Sequence, residues 1–227
     1  MSILIVSPHL DDETLGAGGT LLRYAAQGES LYWINVTNSK EEYGYNSECV
    51  SDRVQQLKRV QAAYGIKKMW DLSLKPASLD TMGASDLIQP LAPIVLEVKP
   101  HTIILPYEFD IHSDHGVVFR AMLPFTKPFR YPFVKKVLAM EILSETEFAM
   151  PDKKFAPNYF VDITDFIEQK MEIMRIYRDE LGEHPFPRSV DNIKALAHFR
   201  GAIAGVKYAE AFLLLKCIES DSSVNME

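Results

Sequence analysis

Cysteine is nearly absent from this chain: there are two in 227 residues, Cys49 and Cys217, far apart and outside any Cys-x-x-Cys spacing. That excludes a disulfide framework and a cysteine-rich zinc site. Basic charge is also short, with 24 lysines and arginines against 31 aspartates and glutamates, a formal net charge of −7. Nucleic acids and anionic membranes are met by basic patches, so neither is an expected partner. No apolar run approaches the ~20 residues that span a bilayer, and the most apolar late stretch, 201–215, is interrupted by Lys207 and Glu210. No secretory leader is expected either, because Ser2-Ile3-Leu4-Ile5-Val6 runs straight into Ser7-Pro8-His9. A soluble, cytoplasmic protein is expected. Low-complexity sequence is absent, and 47% hydrophobic residues suffice for a sizeable core, so the chain is neither disordered nor fibrous.

What is present is an alternation of short β-branched runs with longer helical patterns. Ile3–Val6, Leu31–Val36, Met69–Leu72 and His101–Leu105 read as strands. Between them Thr14–Gln27, closed by Gly28, and Val50–Tyr64, closed by Gly65, read as helices. Ser85–Val98 reads as a helix broken early by Pro90 and Pro93. This order predicts an α/β fold, a Rossmann-like, mostly parallel sheet with helices on both faces. The second half is less regular. Residues 124–133 read as a loop rich in proline and aromatics, followed by a late strand over Val134–Ile142 and an irregular one over Phe155–Val161. Asp165–Leu181 has helical periodicity with Thr164 as N-cap, and Ser189 caps a last helical region that runs through Leu215. One domain over residues 1–218 with an irregular C-terminal part, then a polar tail over 219–227, is the expected organisation.

Two clusters carry the chemistry. Pro8-His9-Leu10-Asp11-Asp12-Glu13 begins where the first strand ends, and Asp110-Ile111-His112-Ser113-Asp114-His115 lies just past the strand His101–Leu105. Loops at the carboxyl ends of parallel strands are where open α/β sheets bind ligands. If the two strands are neighbours, imidazoles and carboxylates from both loops converge on one edge. Zinc takes imidazole nitrogen and carboxylate oxygen, and a catalytic site keeps three protein ligands and an open water position. The stretch Leu15-Gly16-Ala17-Gly18-Gly19 fails the dinucleotide fingerprint, because Leu21 stands where its last glycine belongs.

The first cluster resembles the Pro-His-Pro-Asp-Asp-Glu signature of the PIG-L/LmbE-like zinc deacetylases, and His112-Ser113-Asp114-His115 resembles their second histidine motif. The helix from Arg53 to Gly65 and Tyr208-Ala209-Glu210-Ala211-Phe212 extend the likeness, which is weakest between Pro124 and Tyr159. The resemblance implies a zinc-dependent N-deacetylase acting on an N-acetylated amino sugar or sugar conjugate. Position by position it makes His9, Asp12 and His115 the ligands of a zinc ion, or of another divalent transition metal. Asp11 becomes the general base that activates the zinc-bound water. His112 would stabilise the oxyanion, and Asp114 would orient or charge His112. Two positions depart from the pattern: Leu10 replaces a proline, and Gln56 stands where glutamate is common.

Blander readings stand beside these. Glu13 is best explained by an ion pair in an acidic first helical turn. His101, His184 and His198 read as structural. Arg53 and Arg188 are candidates for gripping a hydroxyl, phosphate or carboxylate, although a solvated arginine explains either singly. Tyr43 and Tyr45 are candidates for stacking on a sugar face, and Glu210 for binding substrate or bracing the site from the last helix. The alternatives to deacetylation of a sugar are a metal-dependent amidase for a non-sugar or non-acetyl substrate and a metal-stabilised binding module without turnover. Asp11 weighs against the binding module, since a closed structural site has no use for a spare carboxylate. The sequence leaves a homo-oligomer open.

Overall fold

The run Ile3-Leu4-Ile5-Val6 is too short for a helix and too apolar for a surface, so it takes the centre of a sheet. In the computed structural model, which describes residues 1–219, it lies in strand β1 (Ser2–Ser7). The chain continues through α1 (Asp12–Ala26), β2 (Ser30–Thr37), α2 (Ser47–Tyr64), β3 (Lys68–Leu74), α3 (Ala84–Val98), β4 (Thr102–Leu105), α4 (Ser113–Met122), β5 (Lys136–Met140), β6 (Tyr159–Asp162), α5 (Ile167–Met174), α6 (Val190–Ala204) and β7 (Ala209–Cys217). The strands form one sheet in the order β3-β2-β1-β4-β5-β7-β6. The first five are parallel, and β7 runs antiparallel between β5 and β6.

Successive side chains of a strand point to opposite faces, and β1 divides accordingly. Ile3 and Ile5 join the core that α1, α2, α5 and α6 cover, while Leu4 and Val6 join the core under α3 and α4. Helices on both faces explain why β1 reads as an unbroken apolar run rather than an alternation. Because β1 lies between β2 and β4, the strand order reverses there. The loops leaving β1 and β4 therefore sit side by side at a topological switch point, where ligands bind in this class of sheet.

Several expectations are corrected. The helix over 84–98 is continuous despite Pro90 and Pro93, held by burial of Leu87, Leu91, Ile94, Val95 and Val98. Helix α4, which begins inside the second histidine cluster, was not expected. The helix expected over Asp165–Leu181 is only Ile167–Met174, followed by a 3-10 stretch over Arg175–Glu180 in which Tyr177 leaves helical geometry. Thr164 does not cap it; its hydroxyl accepts the Tyr208 N–H at 3.2 Å. Ser189 does cap α6, accepting the Asn192 N–H at 3.2 Å, but the helix stops at Ala204. Gly205 then turns the chain at φ 74°, and Ala209–Cys217 is a strand. The C-terminal part is thus an extension of the same sheet. The expected tail lies outside the described residues from 220 onward. None of the described helices is long and apolar enough to cross a membrane.

Candidate metal centre

Strand β1 delivers the chain into the loop Pro8–Asp11, and α1 starts at once with Asp12. Asp11 makes this sharp entry at φ 113°, ψ −29°, backbone space that few residues other than glycine adopt. As a result the adjacent carboxylates part company. Asp12 Oδ2 lies 3.4 Å from His9 Nδ1 and 3.4 Å from His115 Nε2, and those two nitrogens are 3.3 Å apart. Asp11 Oδ2 instead accepts a hydrogen bond from Arg188 Nη1 at 2.8 Å. His115 comes from the first turn of α4, so the neighbouring of β1 and β4 is what brings it to His9.

The far side of each imidazole is also occupied. His9 Nε2 is 3.0 Å from Asp114 Oδ2, and His115 Nδ1 is 2.8 Å from Asp110 Oδ2. Each carboxylate is itself anchored: Asp114 accepts the N–H groups of Ala77 and Leu79 at 2.8 and 3.0 Å, and Asp110 accepts from Thr146 Oγ1 at 2.7 Å. One ring nitrogen facing a shared point and the other held by a carboxylate is the arrangement of metal-ligating histidines. His9, Asp12 and His115 offer one donor atom each within 4.8 Å of one another. His9, His112 and Asp114 form an overlapping group, but the Asp114 oxygens there are already engaged by two backbone N–H groups and His9.

The electrostatics agree with a site built for positive charge. Burial pulls the His9 imidazole down, yet Asp114 and Asp12 pull harder and raise it to about 9. Burial likewise opposes charge on His115, but Asp12 and Asp110 raise it to about 10. Burial would push the Asp12 carboxyl up; His115 and His9 hold it well below the usual carboxylate range. Asp11 goes the other way. Burial, then Asp12 and Glu180, lift its carboxyl well above the ordinary value, and Arg188 offsets only part of this. His112 is lowered by burial and by His9. The donor set, two imidazoles and one carboxylate, suits zinc or a related transition metal.

An open cavity of about 280 Å³ adjoins this centre. His9, Asp11, Asp12, His112, Arg53 and Arg188 all reach its wall, while His115 lies fully buried behind it. Asp114 is behind the wall too, and its Oδ2 is closer to His9 than to His112 Nδ1, at 3.0 against 4.0 Å. Two sequence candidates are not brought there. Tyr43 donates its hydroxyl to the Ser73 carbonyl, and Tyr45 is the tyrosine that lines the cavity. Glu210, on β7 rather than a helix, is 5% exposed and spends both oxygens on the Gly19 and Thr20 N–H groups and Lys170 Nζ. Gln56 is buried and accepts from Arg53 Nη1 at 3.0 Å.

Glu13 is buried and has no ion pair among the described residues, which corrects the expectation. It accepts from Thr14 Oγ1 at 2.6 Å and Tyr177 Oη at 2.8 Å, and burial raises it to about 7. Two residues reached the site unannounced. Asp110 belongs to the second cluster in the sequence, where it carries no assigned role. Glu180, within the stretch 165–181 expected as helix and given no role there, lines the cavity beside both arginines.

Comparison with known proteins adds the following. A family model described as PIG-L, GlcNAc-PI de-N-acetylase, matches residues 4–126. The diacetylchitobiose deacetylase of Thermococcus kodakarensis is 24% identical over 225 residues, covering 92% of this chain and 80% of that protein. A probable N-acetyl-alpha-D-glucosaminyl L-malate deacetylase 2 of Bacillus cereus is 30% identical over 129 residues, 53% of this chain and 59% of that one. Among solved structures, N,N'-diacetylchitobiose deacetylase from Pyrococcus horikoshii superposes with a TM-score of 0.75 at 20% identity, covering 95% of this chain and 84% of that one. The 4-carboxy-2-hydroxymuconate hydratase GalB of Pseudomonas putida superposes with a TM-score of 0.72 at 16% identity, covering 98% and 99%. At such identities the structural likeness concerns the fold, and the hydratase shows that this fold carries more than one reaction.

Proposed function

This chain belongs to the PIG-L family, whose model spans both histidine–aspartate loops, and from that premise we propose that it is a metal-dependent N-deacetylase. Its substrate on this reading is N-acetylglucosamine within a larger saccharide or conjugate. The observation that carries the reading is the split between Asp11 and Asp12: one carboxylate joins the two histidines, and its neighbour stays in the cavity wall with no ligand duty. Zinc, held by His9, Asp12 and His115, would act as a Lewis acid and bring the pKa of water toward about 7.

The chain's own groups supply the rest. Asp11 accepts a proton from the attacking water and returns it to the amine nitrogen as the C–N bond breaks. Arg188, bonded to Asp11 Oδ2, holds that carboxylate toward the cavity. His112 Nδ1 accepts the Asp114 N–H, so the neutral ring carries its proton on Nε2. That N–H is the donor for the carbonyl oxygen as negative charge develops there. Asp114 acts on His9 rather than His112, in keeping with the shorter distance. Acetate and a free amine are the products.

The substrate class rests on what the family description and the relatives share. GlcNAc-PI, diacetylchitobiose and N-acetyl-glucosaminyl malate differ in what is attached and agree in N-acetylglucosamine. A cavity of about 280 Å³ lies just under the usual span of ligand sites, roughly 300–1,000 Å³. That is room for one sugar ring, with Tyr45 on its wall as a face for the ring to stack on. The test is acetate release by the zinc-loaded protein over N-acetylglucosamine, its disaccharide and its conjugates. Release from one or more members is expected. Zinc bound with no release, while a longer N-acyl or a non-sugar amide is cleaved, would replace this reading with that of a different amidase.

A further inference from the structure

Two arginines on the wall of a cavity would ordinarily mark an anion site, because guanidinium forks match phosphate and carboxylate oxygens in pairs. Here each guanidinium already holds Glu180, although the buried Nε of Arg188 has no hydrogen-bond partner among the described residues. Arg53 Nη2 is hydrogen-bonded to Glu180 Oε1, and Arg188 Nη1 lies 3.3 Å from Glu180 Oε2 and 2.8 Å from Asp11 Oδ2. A single carboxylate thus bridges both guanidiniums from opposite oxygens. Around the whole cavity two arginines face four carboxylates, those of Asp11, Asp12, Glu145 and Glu180. A divalent metal would bring that balance to neutral rather than positive.

We propose that Glu180 is a specificity-determining residue: by holding Arg53 and Arg188 in ion pairs it admits a sugar whose attached group is uncharged and excludes a phosphate or carboxylate there. The inference rests on the deacetylase reading above and adds the charge class of the substrate. An anion entering beside the arginines must displace Glu180 or lie against it, and like charges in contact are strongly unfavourable. Sugar hydroxyls meet no such barrier. Each both donates and accepts, so it can accept from a guanidinium N–H and donate to a carboxylate of Glu180 or Glu145 in the same wall. The remaining lining near Arg53 is uncharged, with the Tyr45 ring and Cys49 one helical turn before it on α2.

Zinc-loaded wild-type protein, Glu180→Gln and Glu180→Asp are compared on N,N'-diacetylchitobiose, N-acetylglucosamine 1-phosphate and N-acetylglucosamine 6-phosphate. The two phosphates place a charge at either end of the ring. Wild type is expected to favour the neutral disaccharide in kcat/KM by about tenfold or more over both phosphates, the scale of a close charge pair at an interface. In Glu180→Gln that preference falls by about tenfold against at least one phosphate, through a lower KM for the phosphorylated sugar. Glu180→Asp, which keeps the charge, retains the discrimination. Wild type using a phosphate as well as the disaccharide would overturn the proposal, as would an unchanged ratio in folded Glu180→Gln. If no sugar releases acetate, the deacetylase reading fails by itself, and the same ranking is taken by calorimetric binding. Tighter binding of the disaccharide then supports the role of Glu180; tighter binding of a phosphate, or binding of none, overturns it.

Discussion

Asp11 and Asp12 share a backbone junction and are equally buried, yet their carboxyls are driven in opposite directions. Two imidazoles hold Asp12 ionised, while burial and the neighbouring carboxylates lift Asp11. Pairs of titratable groups pushed apart in this way mark division of labour in a site. Behind them, Asp110 fixes the tautomer and direction of His115 from a distance of 2.8 Å. Asp110→Asn should weaken zinc binding about 10–100-fold without unfolding the protein, the usual effect of losing a ligand's supporting hydrogen bond. Titration against a chromophoric chelator measures this, and unchanged affinity would remove Asp110 from the centre. The two clusters that hold His9, Asp12 and His115 are legible in the sequence because histidines and aspartates are unusual at the ends of apolar strands, while the choice of those three as ligands is what the family resemblance implies. Asp110 and Glu180 had no such signal. A hydrogen bond to the back of a ring, or a bridge from a distant 3-10 turn, leaves no spacing to read.

At the scale of elements, α1 organises the site. Its first residue is Asp12, and its middle is pinned by a buried ion pair, since Glu210 accepts from the Gly19 and Thr20 N–H groups while Lys170 Nζ reaches both Glu210 and the Leu15 carbonyl. The helix lies so close to its neighbours that a Cβ on Gly19 would fall 2.7 Å from Ile163 atoms. Glu210→Ala strands the Lys170 charge and should cost about 3–5 kcal/mol, the range for breaking one side of a buried pair. Urea unfolding reads that loss. Unchanged stability with a raised KM would instead return Glu210 to the substrate. The strand that carries Glu210 reads as helix in the sequence for a definite reason. Ala211-Phe212-Leu213-Leu214-Leu215 is an interior strand between β5 and β6, and a continuous apolar run has no period that tells strand from helix. Gly205, at φ 74°, was the available stop signal. The first four strands were legible because glycines and turn residues punctuate them.

On the scale of the whole molecule, the sheet order does the positioning. The candidate ligands come from loops over 100 residues apart in sequence, His9 and Asp12 after β1 and His115 after β4, and meet because those strands pair. A metal that bridges both loops binds the folded chain far better than the unfolded one, so it should stabilise the fold. At a thousandfold excess over its dissociation constant a ligand contributes about 4 kcal/mol, or roughly 10 °C in Tm for a chain of this size. Removing zinc with a chelator should lower Tm by that order, restoring it should reverse the fall, and His9→Ala should show neither response. A Tm indifferent to zinc in the wild type would contradict a centre spanning two loops.

The division between the adjacent carboxylates is tested most directly by measuring zinc content and acetate release together in Asp11→Asn and Asp12→Asn. Asp11→Asn should keep its zinc and lose about 10²–10⁴ in turnover, the usual contribution of a general base. Asp12→Asn should lose zinc and activity together. Loss of zinc from Asp11→Asn, or full turnover in it, would contradict the assignment of the base.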